Sequence, residues 1–273
     1  MTAEVEVSSQ PVLLDQFEAG VLTLTLNRPE RLKALNAALT QTLVAAIKRA
    51  AADPDCRAIL ITGTGKGFCA GADLADRAVD PGGARPDLGQ TLEKGLNPLV
   101  RAIRGLPKPV VCAVNGPAAG AGANLALACD IVLAAKSAQF LQAFARVGLI
   151  PDAGGTFHLP RLVGEARARA LMMLAEPIGA EEAQVSGMIY RAVDDEDLMG
   201  EARHVAERLA SGATHALGLI KRALAASPAN SLDAQLDLER DLQQEAGAGG
   251  EFVEGVRAFL DKRPADFRRK PGA

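Results

Sequence analysis

The stretch from Pro109 to Cys129 constrains the fold of this chain more than any other segment of its sequence. It runs for 21 residues without a charged side chain, which is long enough to span a membrane as a helix. Two prolines and three glycines would break such a helix repeatedly: Pro109, Pro117, Gly116, Gly120 and Gly122. We therefore interpret the segment as a buried strand over 110–114, a glycine-rich turn, and a helix that begins near Ala121.

Other short apolar runs, separated by turn residues, predict that the N-terminal part of the chain forms an α/β core. The β-rich residues at 12–14 and 21–26, with a turn at 18–20 between them, predict a hairpin. Asn36 suits the N-cap of a helix that continues to Ala52. Further strands are expected at 58–61, 131–134 and 139–141, and a loop at 80–89 leads into a helix from about 91 to 104.

The C-terminal part of the chain has an almost purely helical pattern. From Glu165 onward, apolar residues recur three and four positions apart in segments near 165–175, 195–211, 214–226, 231–246 and 250–262. This change of pattern predicts two units, an α/β core over 1–200 and a helical region over 201–273. The helical region has surplus apolar residues, which serve either its own core or a subunit interface: Leu232, Leu236, Leu242, Phe252, Val256 and Phe259.

The charge balance and the aromatic content argue against nucleic acid as a partner. The 30 basic and 33 acidic side chains give a net charge of −3, whereas binding to a phosphate backbone requires a clear basic surplus. Eight Phe, one Tyr and no Trp leave little surface for base stacking. The basic residues from Lys262 to Lys270 are interpreted as a solvated end of the chain.

Cysteine and histidine usage predicts a cytoplasmic protein without a metal site. Cys56, Cys69, Cys112 and Cys129 form no C-x-x-C pair, so their spacing suits neither a zinc ribbon nor a disulfide framework. With three histidines in the chain, a multi-histidine metal site is not expected. The first ten residues carry two acidic side chains and no apolar segment, so we expect no signal peptide and no membrane association.

Two glycine-rich turns each follow a buried strand, at 63–74 and at 114–124. A strand that enters such a turn and a helix that leaves it direct backbone N–H groups toward one point. The second turn reads Gly-x-Gly-x-x-Leu from Gly120, which lacks the third glycine of a dinucleotide-binding turn and the Gly-Lys-Ser/Thr of a P-loop. If the amides of the two turns converge on one oxygen, they form an oxyanion hole. Otherwise the glycines only allow tight turns.

Four motifs together resemble the crotonase (enoyl-CoA hydratase/isomerase) superfamily. They occur in the order of that family and cover nearly the whole chain: Asn27–Glu30, Phe68–Leu74, Lys108–Gly116 and Pro151–Thr156. The resemblance implies an α/β fold with a spiral core of repeated ββα units and a C-terminal helical trimerisation region. It also implies an acyl-CoA thioester as substrate, no separate cofactor, and a homotrimer or a dimer of trimers.

The resemblance also implies roles for individual residues. The backbone N–H groups of Ala70 and Ala121 match the positions that hold the thioester oxygen; the second is commonly glycine, but alanine keeps the donor. Two positions in the helical region resemble those that reach the coenzyme A of a neighbouring subunit. The coenzyme A-binding residues implied in this way are Arg31, Leu32, Gly71, Ala72, Asp73, Phe259 and Lys262. Without the resemblance, Arg31 could equally be a charged surface residue and Phe259 a core residue.

The chain departs from the crotonase hydratases at both of their catalytic glutamates. Asn124 stands at the first position and Phe144 at the second, and water addition needs groups that orient the water and relay its proton. Asp152 matches the position where several isomerases of the superfamily carry their base. One carboxylate and an oxyanion hole suffice to move a proton. By spacing alone, Asp152 equally suits a cap of the helix that begins near Gly154.

Further runs, at 118–122, 148–152, 217–221 and 235–241, are similar to the subfamily that isomerises the ring-1,2-epoxide of phenylacetyl-CoA to an oxepin. This similarity implies an isomerase of phenylacetate degradation that often also shifts cis-3 double bonds of enoyl-CoA to trans-2. The expected acyl-pocket residues are then Asn124, Phe144 and Phe157, although both phenylalanines equally suit core packing. The loop at 80–89 is expected to be mobile and to close over the acyl end.

Two other kinds of function stay open at this stage. An enoyl-CoA hydratase with relocated acids, or a fatty-acid enoyl-CoA isomerase, would use the same thioester site. A non-catalytic acyl-CoA-binding or RNA-binding relative would keep the fold without turnover, and the net charge of −3 makes RNA the weaker partner.

Overall fold

The computed structural model describes residues 10–73 and 85–268 as an α/β core with a helical C-terminal region. Its strands are β1 (Leu13–Glu18), β2 (Val21–Leu26), β3 (Ala58–Gly63), β4 (Val110–Val114), β5 (Ala118–Ala119), β6 (Ile131–Ala135), β7 (Gln139–Leu141), β8 (Ile178–Gly179) and β9 (Arg191–Val193). The main sheet has the order β1-β2-β3-β4-β6-β9, and a small sheet has the order β5-β7-β8. In the main sheet, β1 and β2 form an antiparallel hairpin and the other neighbours are parallel.

Helices alternate with the strands along the core and then continue alone as the C-terminal region. They are α1 (Ala37–Ala52), α2 (Leu88–Lys94), α3 (Leu96–Gly105), α4 (Ala121–Leu127), α5 (Gly155–Val163), α6 (Glu165–Leu174), α7 (Ala180–Val185), α8 (Leu198–Ser211), α9 (Thr214–Ala226), α10 (Leu232–Gly247) and α11 (Gly250–Leu260). None of the helices in the described ranges combines the length and the apolar content that crossing a membrane requires.

Most of the elements predicted from the sequence are confirmed. The hairpin forms, and the side-chain oxygen of Asn36 accepts a hydrogen bond from the Leu39 N–H at 2.9 Å, as an N-cap should. The prediction of one helix over 91–104 is wrong. Gly95 adopts φ −114° and ψ −84°, outside the helical region, and therefore separates α2 from α3. The sequence pattern also missed α7, β8 and β9, which are too short to show a period.

The central strands β3 and β4 determine where the two glycine turns lie. Every residue of both strands is buried, as expected for parallel strands covered on both faces. Because the strands are parallel neighbours, their carboxyl ends lie at the same edge of the sheet. The turns that follow Gly63 and Val114 are therefore adjacent.

The expected boundary between the two units, at residue 200, falls inside α8. This helix packs on the core sheet through a buried face, formed by Leu198, Ala202, Ala206 and Ala210. Of the six apolar tail residues singled out from the sequence, Leu242 is buried and the other five are exposed in a single chain. These five do not build a core of their own.

The loop that the sequence predicts to be mobile, over 80–89, falls mainly on residues 74–84, which lie outside the described ranges.

Candidate active site

The two glycine turns are joined by backbone hydrogen bonds. The Phe68 N–H donates to the Pro117 carbonyl at 3.1 Å, and the Ala119 N–H donates to the Cys69 carbonyl at 2.9 Å. A Cβ added to Gly122 would lie 2.4 Å from the Cys69 carbonyl oxygen, so the start of α4 can approach the first turn only as glycine. The two glycine-rich turns therefore lie against each other.

The convergence brings Gly71 next to the first turn of α4. A Cβ added to Gly71 would lie 2.8 Å from the Ala119 carbonyl oxygen and 3.4 Å from the Ala121 nitrogen, and the φ of Gly71 is +100°. Glycine is required there by both the close approach and the left-handed backbone. Ala70 and Ala121, the two residues predicted to supply oxyanion-hole donors, are thus on facing turns.

The two predicted donors differ in their present hydrogen bonds. Ala121 is the first residue of α4, where an N–H has no acceptor within the helix, and within residues 10–73 and 85–268 its N–H donates to no other group. The Ala70 N–H instead donates to the carbonyl oxygen of Leu32 at 3.0 Å. A thioester oxygen that used both donors would have to displace the Leu32 carbonyl from Ala70.

The segment from Arg28 to Leu35 lies over the first turn and is held there by further contacts. A buried ion pair joins Arg28 Nη1 to Asp73 Oδ2 at 2.9 Å, and the Leu35 N–H donates to the Gly71 carbonyl at 2.7 Å. Leu32 adopts φ 49°, a left-handed conformation that is unfavourable for a residue with a Cβ. Arg31 and the Leu32 side chain are exposed, Ala72 is partly exposed, and Gly71 is buried.

Asn124 lies at the centre of a buried polar chain below these turns. Its side chain is fully buried, and its Nδ2 donates to the backbone carbonyl oxygen of Asp152 at 2.8 Å. Gln142, also buried, donates from Nε2 to Asn124 Oδ1 at 2.8 Å. A Cβ added to Gly155 would lie 2.3 Å from Asn124 Nδ2, so the loop before α5 rests directly on this amide.

Asp152 lies in that loop and is partly buried. The N-cap of α5 is Gly154, so Asp152 lies two residues before the N-cap. Its backbone carbonyl accepts hydrogen bonds from the Gly155 N–H at 2.9 Å and from Asn124. Ala153 and Gly154 follow with φ of 49° and 79°, which gives the loop two consecutive left-handed residues.

His158 packs beneath the same loop. A Cβ added to Gly154 would lie 3.0 Å from Nε2 of His158, which is a buried residue. Burial, together with the smaller effect of the charges of Arg104 and Arg161, lowers the pKa of His158 from 6.5 to about 4. The imidazole is therefore neutral at physiological pH.

Sequence reasoning missed the roles of Gln142 and His158. Gln142 lies between Phe140 and Phe144, just before the second glutamate position of the family. A signal was present, because an amide at the end of a buried strand needs a polar partner. No pattern in the sequence singles out His158.

The two predicted aromatic pocket residues have different environments. Phe144 is 7 % exposed, and one of its ring carbons lies 3.6 Å from the position of a Cβ added to Gly120. It therefore lines the turn just before Ala121. Phe157 is 45 % exposed, with Arg161 stacked 3.7 Å above its ring and His158 at its edge.

The predicted coenzyme A contacts in the helical region are far along the chain from the two turns. Phe259, near the end of α11, is 83 % exposed, and Lys262 follows the helix with φ 51°. Within the described residues of one chain, neither makes a hydrogen bond or a ring contact with the turns. A single chain does not bring them to Ala70 or Ala121.

Residues 16–270 match the enoyl-CoA hydratase/isomerase family. The 1,2-epoxyphenylacetyl-CoA isomerase of Escherichia coli (strain K12) is 53 % identical over 258 residues, which cover 94 % of this chain and 98 % of that protein. A Rhodobacter capsulatus protein, named a probable enoyl-CoA hydratase, is 50 % identical over 92 % of this chain and 96 % of its own length. The crystal structure of an enoyl-CoA hydratase from Bacillus anthracis, 30 % identical, matches with a TM-score of 0.89 over 95 % of this chain and 100 % of that one. The chain therefore belongs to the enoyl-CoA hydratase/isomerase, or crotonase, family.

Proposed function

We propose that this protein is an acyl-CoA isomerase that converts ring-1,2-epoxyphenylacetyl-CoA into its oxepin isomer and also shifts cis-3 double bonds of enoyl-CoA to trans-2. The observation that carries the proposal is the hydrogen bonding of Asn124, which stands where a hydratase has its first glutamate. Its amide is fully buried, accepts a hydrogen bond from Gln142 and donates one to the Asp152 carbonyl. The name of the E. coli relative, 53 % identical, supports the ring-epoxide substrate.

Hydration is the second candidate, because the Rhodobacter relative is named for it. The chemistry at the two glutamate positions argues against it. Asn124 carries a neutral amide, which is not a base and cannot take a proton from water as a carboxylate does, and its Oδ1 accepts a hydrogen bond from Gln142. Phe144 is apolar and buried against Gly120. Neither residue can relay the proton of an attacking water.

With cis-3-enoyl-CoA, the Asp152 carboxylate removes a proton from the carbon next to the thioester and returns it at the carbon that the double bond leaves. With the ring epoxide, the C–C bond shared by the epoxide and the six-membered ring breaks to give the seven-membered ring, and the proton that Asp152 takes from the CH₂ next to the thioester is returned to a ring carbon, so that no atom is gained or lost. The negative charge that develops on the thioester oxygen is held by the N–H groups of Ala121 and Ala70. The Ala121 N–H is available in the present structure, whereas the Ala70 N–H becomes available when the substrate oxygen replaces the Leu32 carbonyl. Phe144 packs against the acyl group, and the exposed ring of Phe157 on α5 forms another part of the acyl pocket.

Coenzyme A is part of the substrate, and no separate cofactor enters the proposal. Its nucleotide contacts Arg31 and Leu32, and its pantetheine arm follows Gly71, Ala72 and Asp73. This placement is supported by the position of these residues on the segments that flank Ala70. Phe259 and Lys262 contact the coenzyme A of a neighbouring subunit, which is supported by their exposure and their distance along the chain from the turns.

We also propose a homotrimer, or a dimer of trimers, in the cytoplasm. The exposed apolar side chains of the helical region support an oligomer, since a monomer rarely exposes a large apolar patch: Leu224, Leu232, Leu236, Phe252, Phe259 and Leu260. The four cysteines are buried as free thiols, which suits a reducing compartment.

The test of this function is a mass measurement on three substrates. The protein is incubated separately with ring-1,2-epoxyphenylacetyl-CoA, cis-3-enoyl-CoA and trans-2-enoyl-CoA, and the products are separated and weighed by mass spectrometry. We expect products of unchanged mass and altered retention from the first two, and no product heavier by one water from the third. Water addition to trans-2-enoyl-CoA as the main reaction would establish the hydratase instead, and no turnover of any substrate would establish a binding protein.

A further inference from the structure

We propose that Gln142 is a positioning residue for the isomerase, acting through Asn124 on the loop that carries Asp152. The inference rests on the proposed function, because it takes Asp152 as the base. Three groups form a continuous chain: Gln142 Nε2 donates to Asn124 Oδ1, and Asn124 Nδ2 donates to the Asp152 carbonyl oxygen, both at 2.8 Å. Gln142 directly follows β7, Asp152 lies in the loop before α5, and Asn124 on α4 joins them.

The direction of this chain is determined at its Asp152 end. A backbone carbonyl can only accept a hydrogen bond, so Asn124 must present its NH₂ group to Asp152. Its oxygen then faces Gln142, which must present its own NH₂ group. Neither amide can rotate by half a turn without placing two acceptors or two donors against each other. The chain therefore holds the Asp152 backbone from one side.

Close packing and backbone conformation also restrict the loop that carries Asp152. A Cβ added to Gly155 would lie within 2.8 Å of three atoms of the Asn124 amide group. Ala153 and Gly154 both adopt left-handed φ, a conformation that persists in a residue with a Cβ only when the surroundings impose it. The Asn124 amide supplies such surroundings. Displacement of the amide is expected to move the loop and, with it, the Asp152 carboxylate.

Gln142 has a feature that packing alone does not explain. The residue is 3 % exposed, and its Oε1 accepts no hydrogen bond from any described residue. An apolar side chain of the same length would avoid the cost of burying this unsatisfied oxygen. A buried amide retained at such a cost next to a candidate base is consistent with a role in holding that base.

The test is a double-mutant cycle on turnover of ring-1,2-epoxyphenylacetyl-CoA. Gln142→Met keeps the length of the side chain but cannot donate to Asn124. We expect it to lower kcat by about 10- to 100-fold, because displacing a catalytic base by up to about 1 Å has an effect of that size. KM and the Kd of free coenzyme A should change little. In the Asp152→Asn background, Gln142→Met should have no further effect on kcat, because the base through which it acts is already absent.

A control variant separates positioning from loss of stability. Thr62 is buried and donates from Oγ1 to the Ala113 carbonyl at 2.9 Å, between β3 and β4. Thr62→Val removes this buried hydrogen bond and should leave kcat unchanged at temperatures where the protein is folded. If Gln142→Met fails to fold, Gln142→Leu replaces it in the cycle, because leucine also lacks a group that can donate to Asn124.

Two results would overturn the proposal. One is wild-type kcat in folded Gln142→Met protein, and the other is an equal loss of kcat from Gln142→Met in the wild-type and Asp152→Asn backgrounds. The cycle also distinguishes this proposal from the proposed function. If Asp152→Asn itself retains full turnover, the assignment of the base is wrong; if Asp152→Asn loses turnover and Gln142→Met does not, only the positioning role is wrong.

Discussion

Gly122 packs against Cys69 with no room for a side chain between them. A Cβ on Gly122 would lie 2.4 Å from the carbonyl oxygen of Cys69 and 2.7 Å from its Cβ. The two residues are more than fifty positions apart in the sequence, on the turns that follow β3 and β4. This contact therefore sets the distance between the turns and, with it, the separation of the proposed donors Ala70 and Ala121.

The first prediction concerns this contact. Gly122→Ala should destabilise the protein by about 1–3 kcal/mol, because the added methyl group overlaps backbone atoms that are held by hydrogen bonds. Gly200 is a matched control: it also lies in a helix, α8, but a Cβ there would meet no atom within 4 Å. Gly200→Ala should stabilise by up to about 1 kcal/mol. Urea unfolding of both variants checks the prediction, and equal effects would show that the close approach does not constrain the turns.

The close approach of the two turns could be predicted from the sequence, but its details could not. Glycine runs after two buried strands indicated that the turns need a special backbone, and the structure shows that the parallel pairing of β3 and β4 brings them together. The bond from the Ala70 N–H to the Leu32 carbonyl depends on Leu32 in a left-handed conformation, which leucine rarely adopts. Nothing in the side chain of leucine signals it.

The second prediction concerns restoration of the hydratase glutamates. Asn124→Glu combined with Phe144→Glu should not create an efficient hydratase. A glutamate at 124 is longer than the space beside Gly155 allows and cannot donate to the Asp152 carbonyl, and at 144 it would bury an unpaired carboxylate. We expect a loss of several kcal/mol in unfolding free energy. Thermal unfolding and water addition to trans-2-enoyl-CoA measure the two effects; robust hydration with unchanged stability would contradict this account of the pocket.

The third prediction is a pH dependence of stability from His158. Its pKa falls from 6.5 in the unfolded chain to about 4 in the fold because of burial, so between these values the unfolded state binds more protons. The free energy of unfolding should therefore fall as the pH is lowered from about 6.5 to about 4. In His158→Gln this part of the decrease should be missing. Identical pH dependence of the two proteins in urea unfolding would show that His158 is not held neutral.

The fourth prediction concerns the attachment of the helical region to the core. Lys221 on α9 is buried, with Nζ 2.7 Å from Asp130 Oδ2 and 2.8 Å from the Ile103 carbonyl oxygen. Lys221→Met leaves the Asp130 carboxylate with Arg104 at 3.7 Å and the Val110 N–H at 2.8 Å, and should cost about 1–3 kcal/mol of stability. Lys136 is the control, because its pair with Asp194 at 2.7 Å is exposed. Lys136→Met should cost less than about 1 kcal/mol. Equal losses would mean that the buried pair does not anchor α9.

The sequence shows that Asn stands at position 124, where the hydratases of the family have Glu. It does not show which residues the Asn124 amide contacts. Asn124 and Asp152 are separated by a strand, a second strand and a turn of helix, and only the fold shows that the amide of one holds the backbone of the other. The sequence is likewise compatible with two roles for Asp152, a catalytic base and a helix cap. In the structure Asp152 lies two residues before Gly154, the N-cap of α5, and the turnover of Asp152→Asn distinguishes the two roles.

The most direct test of the account is the turnover of Asp152→Asn. The substitution keeps the size of the side chain and the backbone carbonyl that Asn124 holds, and it leaves the N–H groups of Ala70 and Ala121 in place, but asparagine cannot accept the proton. With ring-1,2-epoxyphenylacetyl-CoA and cis-3-enoyl-CoA as substrates, we expect kcat to fall about 10²–10⁴-fold while the Tm and the Kd of coenzyme A stay nearly unchanged. Full turnover of both substrates by the folded variant would contradict Asp152 as the base.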